Sequence, residues 1–483
     1  MAKTAASAIP RFTALCAALA LGGCAMIPKY ERPAAPVAGD WPAVNGAALA
    51  TQASAATPAA DLEWQSFFSD PKLKLLIGAA LQNNRDLRIA VLNIEQARAQ
   101  FQIRRADQLP TVNAALTGSR QPSATGNGSI TTLYTAGLAI TAYEFDFFGR
   151  VASLKEVALA QYLATEEGRK TAQISLIATV ATTYLSLLAD DELLAITQQT
   201  LATRQESFKL GKLRFDIGVT SELDLRLAES LLEAANVSLA QLLRQRAQDE
   251  NALTLLIGQP ITPEMAAGLL ASQGLADAPL MADVPAGLPS DLLVRRPDIR
   301  QAEQLLLAAN ANIGAARAAF FPRISLTTSV GSASSRLAGL FQGGTWAWTL
   351  APQLLLPIFD AGRNQAGLGA ANAGRDIAVA QYEKAIQTAF REVADALAGR
   401  ATLGEQLRAQ QAQAKAEDVR FKLSELRYQN GIASQLDLLD AQRSLFAARQ
   451  AVVQTRLAQL QSQVTLYKTL GGGWTDAAAT AKP

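Results

Sequence analysis

Leu213-Arg214-Phe215-Asp216-Ile217-Gly218-Val219-Thr220-Ser221-Glu222-Leu223-Asp224-Leu225 returns, 213 residues later, as Leu426-Arg427-Tyr428-Gln429-Asn430-Gly431-Ile432-Ala433-Ser434-Gln435-Leu436-Asp437-Leu438. At the same offset Gly149-Arg150 matches Gly362-Arg363, and Ile257-Gly258 matches Leu470-Gly471. One residue closer, Asp86-Leu87-Arg88 matches Asp298-Ile299-Arg300, and Pro110 matches Pro322. A register held over most of the chain marks a duplicated supersecondary unit. In each copy the glycine can end a helix in the left-handed conformation, and Ser221 or Ser434 can cap the next helix. Asp224 and Asp437 stand where a carboxylate completes a capping box.

Each unit reads helix, strand, strand, long helix, turn, helix. Residues 71–108 and 297–320 lead up to the strands and are stopped by Pro110 and Pro322. Long helices are expected from about Gly149 to Phe215 and from about Gly362 to Tyr428. At 1.5 Å per residue each would measure ~100 Å. The return helices, Ser221–Ile257 and Ser434–Leu470, are about half as long, so a lead-up helix stacked end to end on a return helix would match one long helix. Leu225, Ala228, Leu232, Ala235, Leu239 and Leu242 form a stripe at alternating spacings of three and four, repeated by Leu438, Ala441, Leu445, Ala448 and Val452. That is a coiled-coil seam, with small residues that let helices approach closely. An aromatic content of 6% and a charged content of 18% suit long Ala- and Leu-rich helices better than a globular enzyme.

The strands carry a second message. Ile324, Leu326, Thr328 and Val330 alternate with Arg323, Ser325, Thr327 and Ser329; Trp346, Trp348 and Leu350 alternate with Ala347, Thr349 and Ala351. In the first unit Tyr134, Leu138 and Ile140 alternate with Thr135, Ala139 and Thr141. One face is apolar and the other small and polar, a pattern that fits a sheet on a protein core and equally a transmembrane barrel between lipid and water. The Gly/Ser-rich tips, Ser119–Ile130 and Gly331–Thr345, favour the barrel. Four strands cannot close one, and an open edge in lipid is not viable, so several chains would have to share it. Three copies would supply twelve strands.

The start of the chain reads as a targeting segment. Lys3 and Arg11 precede the apolar run Phe12–Leu21, too short to span a bilayer, and Leu21-Gly22-Gly23-Cys24 follows. The ending resembles a bacterial lipobox: residues 1–23 would be removed, leaving Cys24 as the lipidated N-terminus with diacylglycerol on its thiol and an N-acyl chain. Ala25 in place of an Asp points to the outer membrane. Losing Lys3 and Arg11 takes the formal charge from +2 to zero, which argues against a nucleic-acid partner. Cys16 leaves with the signal, so neither a disulfide nor a thiol metal site is expected. With no histidine, no metal-ligand cluster and no nucleophile beside a base, an enzyme is not expected either. The division is then 24–63 as a lipidated Ala/Pro-rich tether, 64–257 as the first repeat, 258–296 as a Gly/Pro/Ala-rich linker, 297–470 as the second repeat, and 471–483 as a loose tail.

The lipobox, the two helix–hairpin–helix units, the two Gly-x-x-Ser-x-Leu-Asp-Leu turns and the stretch Leu293-Val294-Arg295-Arg296-Pro297-Asp298-Ile299-Arg300 together resemble the outer-membrane factors of bacterial efflux systems. These are the TolC-like proteins, and the match is to their NodT-like lipoprotein branch. The resemblance implies a mainly α fold with a membrane β-barrel: long coiled-coil hairpins plus four strands per chain. A homotrimer would close a twelve-stranded barrel and a periplasmic α-helical tunnel. It further implies a periplasmic adaptor docked at the tips (Gly218, Ser221, Asp224, Gly431 and Ser434) and an inner-membrane pump of the RND type. By distance from the turn glycine, Asp437 and Asp440 match the family's gate carboxylates. Leu436 and Arg443 match the apolar and basic members of the constriction. The first unit has Leu227 and Ser230 in place of Asp440 and Arg443, so only one repeat would carry the gate. The plainer reading of Asp440 and Arg443 is an exposed pair one helical turn apart. The competing function is a lipid-tethered periplasmic coiled-coil scaffold without a channel.

Overall fold

The computed structural model describes residues 26–42, 58–122, 130–265, 274–275, 281–282, 284–285 and 289–474. The signal segment, Cys24, residues 123–129 of the first hairpin loop and 475–483 of the tail lie outside the described residues. The elements are α1 (Trp64–Phe67), α2 (Pro71–Asn83), α3 (Arg85–Ala106), β1 (Val112–Pro122), β2 (Ile130–Phe145), α4 (Arg150–Asp216), α5 (Glu222–Ile257), α6 (Pro289–Arg295), α7 (Pro297–Ala318), β3 (Arg323–Ser334), β4 (Trp346–Leu355), α8 (Arg363–Gln429) and α9 (Gln435–Thr469). The long helices α4 and α8 begin and end within a residue of the expected bounds. The chain divides into two compact units.

The first unit comprises Met1–Ala34, Asn93–Glu166 and Gln301–Glu383, and contains the antiparallel sheet β1-β2-β3-β4. The pairings Leu116↔Ala136, Leu138↔Val330 and Val330↔Trp348 put the apolar residues of all four strands on one face. Thr117, Thr135, Ser329 and Thr349 occupy the other, where the Thr117 and Thr135 hydroxyls meet at 2.6 Å. A β-bulge between Ile140 and Tyr143 leaves Ala142 at a φ of 52°. The extra residue reverses the strand's parity, so Tyr143 and Phe145 rejoin the apolar face they would otherwise leave. On the polar face Gly137 pairs with Gly331, and a Cβ on Gly137 would fall 2.2 Å from the Val330 carbonyl oxygen. Two glycines are what allow the strands to approach here. Trp346 and Trp348 are 72% and 68% exposed. An apolar face this open belongs against lipid, and among the described residues β1 and β4 present unpaired edges.

Below the sheet, Glu144 accepts both nitrogens of a bidentate Arg150 (2.8 and 2.7 Å) and also pairs with Arg323 at 2.5 Å. This joint ties the end of β2 to the starts of α4 and β3.

Over residues 26–34 the segment expected as a tether is bound to the protein body. It is a strap on α7, whose Glu303, Asn310 and Arg317 recur every seven residues and so share one helix face. Arg317 donates to the Met26 carbonyl (3.3 Å) and Asn310 to that of Pro28 (2.8 Å). Tyr30 and a bidentate Arg32 donate to Glu303. Ile27 fills the space above Gly314. Composition suggested a spacer because extended Ala/Pro chain makes no bonds of its own; the helix supplies the partners.

The second unit comprises Ala35–Leu92, Glu167–Arg300 and Lys384–Pro483. Residues 71–108, expected as one helix, break at Asn84, whose ψ is 133°. Its amide oxygen caps α3 at Leu87 N (2.9 Å) and its Nδ2 donates to the Leu256 carbonyl (2.9 Å). In the second repeat Arg296 stands at the equivalent break and donates to the Thr469 carbonyl at 3.0 Å. Different side chains thus reach the equivalent carbonyl near the end of each return helix. Arg296 is buried and also holds Asp298 and Glu392, while Arg295 pairs with Asp61 and Arg300 with Glu167. The charges of the 293–300 stretch are therefore a junction of elements. Aromatic packing adds to it: Phe67 stacks on Tyr467 at 4.0 Å and Trp41 on Phe390 at 5.0 Å.

Candidate gate at the helical tips

Both tips, in the second unit, are built the same way. Gly218 has a φ of 77° and Gly431 a φ of 73°. Val219 N donates to Arg214 O and Gly218 N to Phe215 O, and Ile432 N and Gly431 N repeat this to Arg427 and Tyr428. This Schellman pattern satisfies the last carbonyls of α4 and α8. Ser221 then caps α5 through Asp224 N (3.2 Å), and Ser434 caps α9 through Asp437 N (3.2 Å). Only the second box is reciprocal, because Asp437 also accepts from Ser434 N at 3.1 Å. In the first tip the expected box is half made. The Asp224 carboxylate is taken by the hydroxyls of Thr220 and Ser221, and the second tip has Ala433 in place of Thr220.

A few turns above Gly431 the tips diverge. Asp440 accepts from Arg443 at 2.7 Å on its own helix and from Arg420 at 2.5 Å on α8; Arg420 also reaches Glu417 at 3.1 Å. These contacts hold the Asp440 carboxyl below the usual carboxylate range, the Arg420 hydrogen bond foremost. With a depressed folded value, the clasp is present above the ordinary carboxylate range and is lost only as pH falls through that lowered value. One step further, Asp418 accepts from Lys422 (2.7 Å) and Arg449 (2.8 Å). Leu436 is 57% exposed in the first turn of α9. The first hairpin has Ser207, Leu227 and Ser230 at the places of Arg420, Asp440 and Arg443.

The structure thus joins Asp440 to Arg443, keeps Asp437 in the cap and leaves Leu436 open. The sequence reading missed Arg420. Reflection of the helical hairpin through Asn430 sets residue 420 opposite residue 440, and that signal could have found it. It also missed the link between the two tips, where Arg214 donates to the Tyr428 hydroxyl at 2.5 Å and lies 5.1 Å over its ring. Phe215 of the first unit stands where the second has Tyr428, and the added hydroxyl makes the bond.

A sheet with a lipid-facing side and two open edges, and a second unit of paired helical hairpins with ionic clasps at one tip, define an outer-membrane channel subunit. The model of the outer membrane efflux protein family matches residues 76–259 and again 288–472, and the chain belongs to that family. It is 50% identical over 462 residues to the toluene efflux pump outer membrane protein TtgC of Pseudomonas putida, covering 95% of this chain and 94% of that one. Among solved structures it is similar to a membrane protein from Pseudomonas aeruginosa, with 46% identity, a TM-score of 0.84 and coverage of 93% and 98%. The open state of the Neisseria gonorrhoeae MtrE outer membrane channel follows with 42% identity, a TM-score of 0.81 and coverage of 93% and 99%. The chain is accordingly an outer-membrane channel component of an efflux pump.

Proposed function

We propose that three copies close one twelve-stranded barrel and one helical tunnel, forming the passive exit duct of a tripartite efflux pump. An inner-membrane transporter of the RND type would drive it, with a periplasmic adaptor docked at the two tips. The chain itself carries out no catalysis in this reading. The observation that carries it is the four-stranded sheet, apolar on one face, polar on the other and unpaired at β1 and β4. Such a sheet is unstable in lipid until other copies complete it. Cys24 would carry the acyl chains, with the strap on α7 fixing the chain two residues beyond it. The toluene for which TtgC is named makes small apolar molecules the cargo class of first choice.

Within the duct, Leu436, Asp437, Asp440 and Arg443 form the gate, and Arg420 joins them by holding Asp440 to α8. A single exposed ion pair is worth only about 0–1 kcal/mol, so closure depends on three symmetry-related clusters acting together. Planar-bilayer conductance tests this: small in the wild type and severalfold larger in Asp440→Ala/Arg443→Ala. Equal conductance of the two would remove the gate and keep the channel. A folded protein that neither conducts nor runs as a detergent-resistant trimer would return the scaffold reading.

A further inference from the structure

Above the tips, a cavity of about 230 Å³ lies between α4 of the first hairpin and α8 and α9 of the second. Its wall includes Arg204, Asp418, Phe421, Lys422, Phe446 and Arg449. Arg204 is 4% exposed, with Nη1 on the Leu231 carbonyl at 2.7 Å and its guanidinium 5.2 Å over the Phe446 ring. Among the described residues its Nε–H finds no acceptor. Among the described residues Asp418 is the one acid in the wall, and Lys422 and Arg449 already share it at 2.7 and 2.8 Å. Among the described residues the cavity therefore sets three cations against one carboxylate, and the most buried of the three has no counter-charge. A carbonyl and a ring face compensate a buried guanidinium only in part, so the site is left short of negative charge. Burial accordingly holds Arg204 below its ordinary range.

We propose that this cavity is a binding site for a small carboxylate on an apolar body, of the size of benzoate. The carboxylate would supply the missing charge beside Arg204, and Phe421 and Phe446 would pack its ring. Because the wall draws on both hairpins, an occupied site would also join α4 to α8 and α9 independently of the Asp440 clasp. The site uses none of the gate residues, so it stands whether or not they close the duct.

The probe is benzoate, titrated against the full-length protein in detergent and followed by saturation-transfer NMR. Binding is expected to saturate in the wild type and to weaken at least tenfold in Arg204→Gln. Lys422→Gln, at an exposed rim position, keeps the test open should Arg204→Gln fail to fold; a severalfold weakening is expected there. A benzoate signal that never saturates, or that is the same in the wild type and a folded variant, overturns the site. Displacement of benzoate by equimolar inorganic phosphate would overturn the apolar-body assignment, and its failure supports it.

Discussion

The two helical hairpins share a turn and differ in where they place their ionic clasps. In the second, Arg420, Asp440 and Arg443 meet close to the tip, where the first has Ser207, Leu227 and Ser230. In the first, the clasp is further from the turn, where Arg246 joins Asp191 at 2.6 Å beside Asp190 and Asp249. The second has Leu403, Gly404, Gln459 and Ser462 at those four positions. Duplication copied the backbone features, the left-handed glycine and the capping serine, because both hairpins need them to turn. Charge then diverged, leaving one tip with ionic contacts that motion could break and the other with its inter-helix charges away from the tip.

The sharpest way to break this comparison is to move the charge. Neutralising Arg420→Ala/Asp440→Ala should raise single-channel conductance severalfold. The mirror set Ser207→Arg/Leu227→Asp/Ser230→Arg should leave it near the wild-type value, and an equal effect from both would mean that the tips are equivalent. Backbone effects should be symmetric instead. Gly218→Ala and Gly431→Ala have open space for the Cβ, so each meets only left-handed strain of about 1–2 kcal/mol and should lower the thermal midpoint alike. The caps should split modestly. Ser434→Ala should cost about 1 kcal/mol and Ser221→Ala somewhat less, since Thr220 still holds Asp224. Thermal unfolding of the pair decides it.

The upper cluster makes the subtlest prediction. The Asp190 carboxyl is pushed up to about 7 by burial first, then by the charge and hydrogen bond of Asp249 and the charge of Asp191, with Arg246 pulling it down. Its folded value lies above its unfolded one. Its stabilising contribution is therefore full below the ordinary carboxylate range and is lost as pH rises through about 7. Asp190→Asn should melt above the wild type at about pH 8, and the gap should shrink toward about pH 5. A gap independent of pH would mean that Asp190 does not titrate in this window.

Much of this was legible beforehand, for reasons that differ by residue. Gly218 and Gly431 could be placed because a helix end needs a left-handed residue and glycine adopts it without penalty. The lipid-facing sheet could be anticipated from Trp346-x-Trp348-x-Leu350, because strand side chains alternate strictly. The break at Asn84 was hidden because the apolar pattern continues past it and the amide that caps Leu87 N is anchored on the distant Leu256 carbonyl. The bulge at Ala142 was equally hidden, since only the register with β3 reveals the extra residue.

What the sequence by itself determined is the local and the periodic: two copies of a unit, long helices, glycine turns with serine caps, and strands with one apolar face. These follow from interactions within about four residues, or from a repeat that can be counted. Only the tertiary structure decided which charges meet. Arg214 with Tyr428, Arg296 with Thr469 and the strap on Glu303 all join residues on separate elements. Long flexible side chains can reach many partners, and the choice rests on how packed helices are rotated and shifted against one another, which a hydrophobic pattern does not encode.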